Sequence, residues 1–252
     1  MFSYLYLIIF LSVMIHLISY GNKEYEHSKQ RIYEEAISTH WFDTVTIYGP
    51  NDLDNDFKLK FKDILQQRRG GGYWIWKSYI IKKRLNEINE NDILIYLDAG
   101  CQINPEGKQR FHEYIELLNT SNTGIISFQM HHIEKIWTIK EAFEYFNIDL
   151  DSDIANTGQI LGGIRIMKKN MNLMSIIDLE IKTLYDNPLL FTDHYNKKQK
   201  KPFKDNRHDQ SIFSLIRKMN NPILLRDETW FTPFGSKESL KFPFWAKRIK
   251  DK

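Results

Sequence analysis

The chain has 252 residues, 42% hydrophobic and 27% charged, which is the composition of an ordinary globular protein. Its length suits one sizeable α/β domain, and its net charge of +3 gives no basis for nucleic acid as a partner. The single cysteine, Cys101, excludes an intrachain disulfide framework and fits a reducing compartment, so a cytoplasmic protein is expected.

The N-terminal stretch from Phe2 to Tyr20 is apolar almost throughout. We predict that residues 1–13 are an apolar extension and that residues 14–252 form the folded domain, whose first strand starts at Ile15 and reaches a turn at Gly21. The alternatives for the extension are a membrane anchor and a segment upstream of a true start at Met14. A helix of residues 1–13 would rise about 20 Å, whereas a hydrocarbon core is about 30 Å thick. We therefore expect at most weak membrane association through the N-terminus.

Helix and strand patterns alternate after this first strand. Residues 28–38 carry apolar side chains three or four positions apart, as in a helix. Asp43–Tyr48 is a β-branched run that predicts a strand. Residues 52–68 are charged and periodic and predict one exposed helix, which Gly70–Gly72 break.

The segment Tyr73–Leu85 predicts a helix whose first turn is rich in aromatic residues. One interpretation is that the aromatics pack in the core and the preceding glycines form a flexible turn. The other is that the glycine backbone approaches an anion at the helix N-terminus, with Lys77 adding a charge-assisted contact. Aromatic rings also form stacking platforms for sugars, which makes Trp74 a candidate binding residue. The glycine run matches neither GxGxxG nor GxxxxGK(S/T), so both interpretations stay open.

The short apolar run Ile93–Leu97 predicts a buried parallel strand. It ends at Asp98, which two small residues follow. Ligands of open α/β sheets bind at the carboxyl ends of the strands, so Asp98 is a candidate site residue. The sequence Asp-Ala-Gly also suits a simple turn, and the local residues do not decide between the two interpretations.

The second half of the chain predicts further helices and strands. In order they are residues 107–118 (helix), 124–129 (strand), 137–147 (helix), 156–167 (strand) and 170–185 (helix). The strand of residues 156–167 contains glycines, which often mark a point where a ligand or another backbone comes close. Its first residues, Asn156, Gly158 and Gln159, are therefore candidate ligand contacts.

A basic loop, residues 197–207, leads into an amphipathic helix from His208 to Ile216. Asp209 and Gln210 lie in the first turn of this helix. A carboxylate there can simply stabilise the helix dipole. Alternatively, the basic loop and these polar residues close over a diphosphate.

Taken together, these segments resemble the GT-A type of nucleotide-sugar-dependent glycosyltransferase. They are similar to the glycogenin and bacterial galactosyltransferase family and to capsular-polysaccharide-synthesis-like proteins of bacteria and large DNA viruses. The resemblance extends from about Met14 to the C-terminus and rests on the order of its motifs, which are Gly72-Tyr-Trp-Ile-Trp-Lys77, Ile95-Tyr-Leu-Asp98, Asn156-Thr-Gly158 and Arg207-His-Asp-Gln-Ser211. It implies an α/β fold: a single GT-A-like (Rossmann-like) domain with a mostly parallel central sheet flanked by helices.

The resemblance also implies roles for individual residues. The donor would contact Ser19, Tyr20, Lys77, Asp98 and Arg207; the sugar and acceptor would contact Trp74, Asn156, Gly158 and Gln159; and Asp209 and Gln210 would be the catalytic residues. The expected partners are a UDP- or GDP-sugar and a glycan acceptor.

The family usually holds a divalent cation with the two carboxylates of a DxD motif, and the cation neutralises the leaving diphosphate. Here Asp98 matches the first carboxylate, but Gly100 stands in the place of the second. A cation, Mn²⁺ or Mg²⁺, is still expected as a cofactor, with Asp98 and His208 as its candidate ligands. The alternative is that basic groups such as Lys77 replace the metal.

We therefore expect a glycosyltransferase that acts in polysaccharide biosynthesis. The alternative is a catalytically inactive module that binds a sugar nucleotide or a glycan through a degenerate DxD motif. A third hypothesis is an unrelated α/β hydrolase or phosphotransferase with Asp98 and Asp209 as metal ligands. It is weakened because the sequence contains neither a Gly-x-Ser-x-Gly elbow nor a P-loop.

Overall fold

A computed structural model describes residues 13–195, 198–199 and 201–250. Residues 1–12 of the predicted extension lie outside the described residues, and so does the choice between an extension and an anchor. Within the described part of the chain, no helix has both the length and the apolar character needed to span a bilayer.

Every strand predicted from the sequence overlaps at least one strand of the structure. In chain order they are β1 (Ile15–Tyr20), β2 (Thr44–Tyr48), β3 (Ile93–Leu97), β4 (Gln102–Ile103), β5 (Ile125–Ile133), β6 (Gly158–Ile160), β7 (Ile164–Lys168), β8 (Ile223–Arg226) and β9 (Phe244–Trp245).

The helices alternate with these strands over most of the chain. They are α1 (Glu26–Thr39), α2 (Asn55–Lys60), α3 (Lys62–Leu65), α4 (Gly70–Tyr73), α5 (Trp76–Glu87), α6 (Lys108–Asn119), α7 (Glu134–Trp137), α8 (Lys140–Tyr145), α9 (Asp153–Asn156), α10 (Met171–Asp186) and α11 (Asp209–Met219). Short 3₁₀ turns cover Lys23–Tyr25, Pro50–Asp52, Pro105–Gly107, Pro188–Phe191 and Ser239–Lys241.

One mixed sheet forms the centre of the molecule. Its strand order is β2-β1-β3-β7-β5-β6, and β8 pairs in addition with β5. The strands β1, β2, β3, β5 and β8 run in one direction, whereas β6 and β7 run in the opposite direction. The predicted α/β fold with a mostly parallel central sheet is therefore confirmed.

Alternate residues of the central strand β3 face opposite layers of core. Ile93, Ile95 and Leu97 pack with α1 and α6, while Leu94 and Tyr96 pack with α5, α10 and α11. All five side chains are buried, because helices cover both faces of the strand. Each fully buried aliphatic residue contributes about 1.5–3 kcal/mol, so these two layers fix the carboxyl end of β3.

Two predicted elements are interrupted. The helix expected over residues 52–68 breaks at Phe61 into α2 and α3, and it is not fully exposed, because Phe57 and Phe61 are buried. The strand expected over residues 156–167 divides into β6 and β7 around Leu161–Gly163. This second break brings polar backbone groups to the edge of the sheet where the candidate site lies.

The helix expected over residues 137–147 is also divided. It becomes α7 and α8, with extended backbone at Thr138. The Thr138 hydroxyl donates a hydrogen bond to Glu134 Oε1 at 2.7 Å, so it binds the preceding helix instead of continuing it.

Candidate active site

A cleft of about 1510 Å³ opens where β1 and β3 end and β7 begins. This is the edge of an α/β sheet at which ligands bind. Eight of the predicted site residues line it: Tyr20, Trp74, Lys77, Asp98, Arg207, His208, Asp209 and Gln210.

Asp98 lies at the floor of the cleft and also begins a turn. Its carbonyl oxygen accepts a hydrogen bond from Cys101 N at 2.8 Å, and its own N–H donates to Gly163 O at 2.8 Å. The Tyr96 hydroxyl donates to Asp98 Oδ1 at 2.5 Å. The two interpretations of the Asp-Ala-Gly sequence are therefore compatible, because the turn is what directs the carboxylate into the cleft.

A buried ammonium group joins the two candidate carboxylates. Lys77 is 2% exposed, and its Nζ lies 3.1 Å from Asp98 Oδ1 and 2.9 Å from Asp209 Oδ2. It also donates to Gly162 O at 3.3 Å. Burial opposes the charge, but Asp209 and Asp98 outweigh it and hold the pKa of Lys77 above its usual value. The site therefore contains a fixed internal cation.

The start of α11 places Asp209 and Gln210 beside the break between β6 and β7. Gln210 Oε1 accepts a hydrogen bond from Gly162 N at 3.0 Å. A Cβ at residue 162 would lie 3.0 Å from Gln210 Cβ, and one at residue 163 would lie 2.7 Å from Asp98 Oδ2. Two consecutive glycines thus allow the backbone to approach both side chains closely.

Aromatic rings form one wall of the cleft. Tyr20 at the end of β1 stacks on Trp76, with ring centroids 3.8 Å apart and an interplanar angle of 18°. Trp76 Nε1 donates to Gly70 O at 3.1 Å, which fixes the glycine turn to the wall. Trp76 is buried whereas Trp74 is partly exposed in the cleft, so the aromatic segment serves both the core and the site.

Arg207 also lines the cleft. Its guanidinium lies 4.1 Å above the ring of Trp137, and its Nη1 atom is buried without a hydrogen-bond partner. Burial, together with the neighbouring charge of Arg248, lowers the pKa of Arg207 to about 10. Lys197 and Lys200 of the predicted basic loop lie outside the described residues.

Two predicted contact residues are buried behind the cleft. Ser19 is fully buried and donates to Leu97 O at 2.7 Å. Gln159 is also buried; its Oε1 accepts from Gln210 Nε2 at 2.6 Å, and its Nε2 donates to Glu134 Oε1 at 2.9 Å. Ser19 is therefore not placed for donor contact, and Gln159 orients Gln210 from behind.

Asn156 and Gly158 also lie outside the cleft lining. The Asn156 side chain donates to Leu150 O and Ser152 O at 3.1 and 2.9 Å, so it closes its own turn. A Cβ at residue 158 would lie 1.8 Å from Met130 O, so the glycine is required by strand packing. The structure supports no direct sugar contact for either residue.

Four further residues line the cleft but were not predicted as site residues from the sequence: Gly162, Gly163, Trp137 and Arg248. The paired glycines were visible as a signal inside the strand of residues 156–167, but the ligand contacts were placed at its start. Nothing local distinguishes Arg248 from the other basic residues near the C-terminus, because tertiary packing alone brings it to the site.

The residues present do not fit the expected divalent cation. His208 is turned away from Asp98: its Nε2 lies 2.7 Å from Asp193 Oδ1, and its ring stacks on Tyr73 at 5.0 Å. Asp98 Oδ1 is already bound by Tyr96 and Lys77. Across residues 13–195, 198–199 and 201–250, no three histidine, cysteine, aspartate or glutamate side chains are grouped so that they could hold a metal ion. The pairing of Asp98 with His208 as metal ligands is therefore not supported.

Comparisons with known proteins identify the architecture. No protein-family model matches the sequence, and a search of curated proteins found no match. Among solved structures, a glycosyltransferase involved in the glycosylation of the major capsid of PBCV-1 is similar over 92% of this chain and 92% of that chain, with 14% identity and a TM-score of 0.52. The fold is that of the GT-A glycosyltransferases.

Two further structures are similar over most of their length. Mouse xyloside xylosyltransferase 1 covers 84% of each chain, with 12% identity and a TM-score of 0.46. The galactosyltransferase LgtC, solved with donor and acceptor sugar analogs, covers 93% of this chain and 88% of its own, with 10% identity and a TM-score of 0.44. The similarity to the PBCV-1 capsid glycosyltransferase confirms the predicted GT-A fold. The cleft of this protein lies at the carboxyl edge of the central sheet.

Proposed function

We propose that the protein is a glycosyltransferase that transfers a sugar from a nucleoside-diphosphate sugar to a hydroxyl acceptor. The observation that carries the proposal is the buried Lys77 ammonium that joins Asp98 and Asp209 at the floor of the cleft. A buried ion pair that also faces a large cleft is costly to maintain for stability alone. Its position in a GT-A fold favours sugar transfer.

In this proposal, the basic residues of the cleft bind the diphosphate of the donor. As the bond between the anomeric carbon and the phosphate oxygen breaks, negative charge accumulates on the leaving diphosphate. Arg207, with its unpartnered buried Nη1 atom, is suited to hold that charge. Fixed donors that are already in place stabilise such charge without reorganisation.

In this proposal, the carboxylates of Asp98 and Asp209 contact the donor. Positive charge develops on the sugar ring in the transition state, and we assign its stabilisation to Asp209. Gln210 is held by Gly162 N and by Gln159, so it presents a fixed amide beside Asp209. We assign Asp98 to the donor ribose and diphosphate, and Trp74 to stacking on a sugar ring.

An inactive binding module is the second candidate function. Gly100 removes one carboxylate of the DxD motif, and this loss favours a protein that binds a sugar nucleotide without turnover. Both candidates predict nucleotide binding, which raises the melting temperature of the folded protein. Only the glycosyltransferase releases free UDP or GDP.

The test is a measurement of UDP or GDP release from a panel of UDP- and GDP-sugars, with and without glycan acceptors. Asp98→Asn and Asp209→Asn are each expected to lower the rate at least about 100-fold, because each removes a charge that acts in the transition state. Asp178→Asn is the matched control, since Asp178 pairs with Lys82 outside the cleft. Turnover that survives in both cleft variants would reject the assigned roles. A melting-temperature shift without nucleotide release would favour the binding module.

A further inference from the structure

The C-terminal segment, residues 246–250, lies across Gly100. Ile249 N donates a hydrogen bond to Gly100 O at 2.9 Å. A Cβ at residue 100 would lie 2.9 Å from Ile249 O and 3.3 Å from Arg248 Cα, and both of these are backbone atoms. A second carboxylate at residue 100 therefore requires this segment to move.

The start of this segment is fixed to the domain. It follows β9, which pairs antiparallel with β4 so that Gln102 faces Trp245. Ala246 N donates to Thr229 O at 2.8 Å, and Trp245 Nε1 donates to Ser239 O at 3.0 Å. The position of Arg248 over Gly100 is thus determined by contacts on both sides of the arginine.

The segment brings positive charge to the place where a DxD carboxylate would otherwise hold a cation. Arg248 and Lys250 line the cleft together with Arg207. In the described part of the chain, neither Arg248 nor Arg207 has a carboxylate within 4.0 Å of its guanidinium nitrogens. The Arg248 guanidinium lies 5.7 Å from the ring centroid of Trp230, and the Arg207 guanidinium lies over Trp137.

These two guanidinium groups repel each other. Besides burial, the charge of Arg248 is the largest influence that lowers the pKa of Arg207. The Asp98 and Asp209 carboxylates are already paired with Lys77. An anion bound between the two arginines would remove the repulsion and supply a partner for the buried Arg207 Nη1 atom.

We propose that Arg248 of the C-terminal segment, together with Arg207, binds the diphosphate of a nucleotide in place of a divalent cation. Guanidinium groups bind phosphate oxygens through two parallel hydrogen bonds, so they supply both the charge and the orientation that a metal ion would provide. The transfer of a sugar from this bound nucleotide rests on the proposed function. The diphosphate site itself is testable without any sugar.

The experiment is titration calorimetry of the full chain with UDP, GDP and inorganic pyrophosphate, in EDTA and in MnCl₂. We expect the dissociation constant in EDTA to lie within about twofold of that in MnCl₂, because no ion has to bind first. Arg248→Ala is expected to weaken binding at least about tenfold in EDTA, through the loss of charge-assisted hydrogen bonds. Arg248→Lys should restore part of this loss, since it returns the charge without the paired geometry.

Lys247→Ala is the matched control. It removes the same charge from the adjacent residue, whose Nζ bonds Gln102 Oε1 at 3.1 Å and which does not line the cleft. Binding that requires MnCl₂ and is lost in EDTA would overturn the proposal. So would wild-type affinity in Arg248→Ala, or no binding of any of the three probes. Binding in EDTA without sugar transfer from any donor would support this site and reject the proposed glycosyltransferase activity.

Discussion

Lys77 is the residue on which the geometry of the candidate site depends. Lys77 Nζ lies close to three oxygen atoms: it donates a hydrogen bond to Gly162 O and forms ion pairs with Asp98 Oδ1 and Asp209 Oδ2. A buried charge is tolerated when it is paired. The same three contacts tie β3, the glycine break before β7 and the start of α11 to one point.

Lys77→Met should therefore damage both the site and the fold. It leaves the Asp98 and Asp209 carboxylates without their shared cation, and removing one partner of a buried ion pair costs about 3–5 kcal/mol. We expect the free energy of unfolding, measured by urea denaturation, to fall by that amount. Nucleotide-sugar turnover should fall at least about 100-fold.

Lys82→Met is the control for this change. Lys82 lies in the same helix, and its partner Asp178 is largely exposed, so the pair contributes at most about 1 kcal/mol. Equal stability and equal turnover in the two variants would show that the buried position of Lys77 has no special role.

At the residue scale, the local patterns singled out three charged residues that the structure brings together, but not the residues around them. Lys77, Asp98 and Asp209 each stand at the end of a strand or the start of a helix, and the chain topology brings such positions to one edge of the sheet. Ser19 and Gln159 were predicted as direct contacts, and the structure buries both of them. A residue on a strand faces either side, and only the packing of neighbouring elements decides which.

At the scale of elements, the approach of β6 to β5 fixes the residue at position 158. The pairing is irregular: Gln129 faces Ile160 and Ile133 faces Gly158, with a shift in register between them. The shift brings Met130 O towards Gly158. Gly158 was predicted from its sequence as a ligand contact, yet its role in the structure is close strand packing.

Gly158→Ala should be strongly destabilising. The new Cβ would lie 1.8 Å from Met130 O, so the backbone of β5 or β6 must move. Overpacking of this kind costs about 1–3 kcal/mol, and a backbone clash belongs at the upper end of that range. The loss is measured by urea denaturation of the variant beside the wild type.

Gly49→Ala gives the comparison for this substitution. Gly49 is buried and Gly158 is half-buried, but a Cβ at residue 49 would meet its nearest neighbour, Gly21 O, at 3.5 Å, which is ordinary contact. We expect a change within about 0.5 kcal/mol. If both variants lose the same free energy of unfolding, the loss at residue 158 comes from reduced backbone flexibility and not from the clash.

The elements themselves were predicted best where one local pattern covers the whole element. β3 is a continuous apolar run that both faces of the core bury, and α10 begins at the Asn170 cap, whose Oδ1 accepts from Leu173 N at 2.7 Å. The breaks at Phe61 and at Leu161–Gly163 were missed. Phe61 is buried in the core, and Leu161–Gly163 line the cleft. Residues distant in the chain determine both positions, so local periodicity does not predict them.

At the scale of the whole molecule, Glu180 holds the helices on one face of the sheet together. Its Oε2 lies 2.8 Å from Arg165 Nη1 of β7 and accepts from the Ser78 hydroxyl of α5 at 2.6 Å. Its Oε1 lies 3.1 Å from Arg217 Nη2 of α11. Arg165 Nη2 also lies 3.7 Å from Asp209 Oδ2, so this buried network continues into the candidate site.

The network should respond to pH in a defined direction. Burial acts against the charged form of Glu180, but Arg165 and Arg217 outweigh it and hold its pKa below the usual 4.5. A carboxyl group with a lowered pKa in the folded state contributes stability above its unfolded pKa and loses that contribution as the pH falls through its folded pKa. The contribution of Glu180 is therefore complete at pH 7 and declines only below about pH 4.5.

Glu180→Gln preserves the shape of the side chain but leaves two buried guanidinium groups without a counter-charge. We expect its free energy of unfolding at pH 7 to be lower than that of the wild type by about 3–5 kcal/mol. The difference should shrink as the pH falls below about 4.5 and through the folded pKa of Glu180, because Glu180 then becomes protonated in the wild type as well. Glu87→Gln, which removes a largely exposed partner of Arg84, should cost at most about 1 kcal/mol at any of these pH values. If Glu180→Gln matched the wild type at pH 7, the buried network would not be what fastens β7 to α5, α10 and α11, and Arg165 would need another anchor to remain beside Asp209.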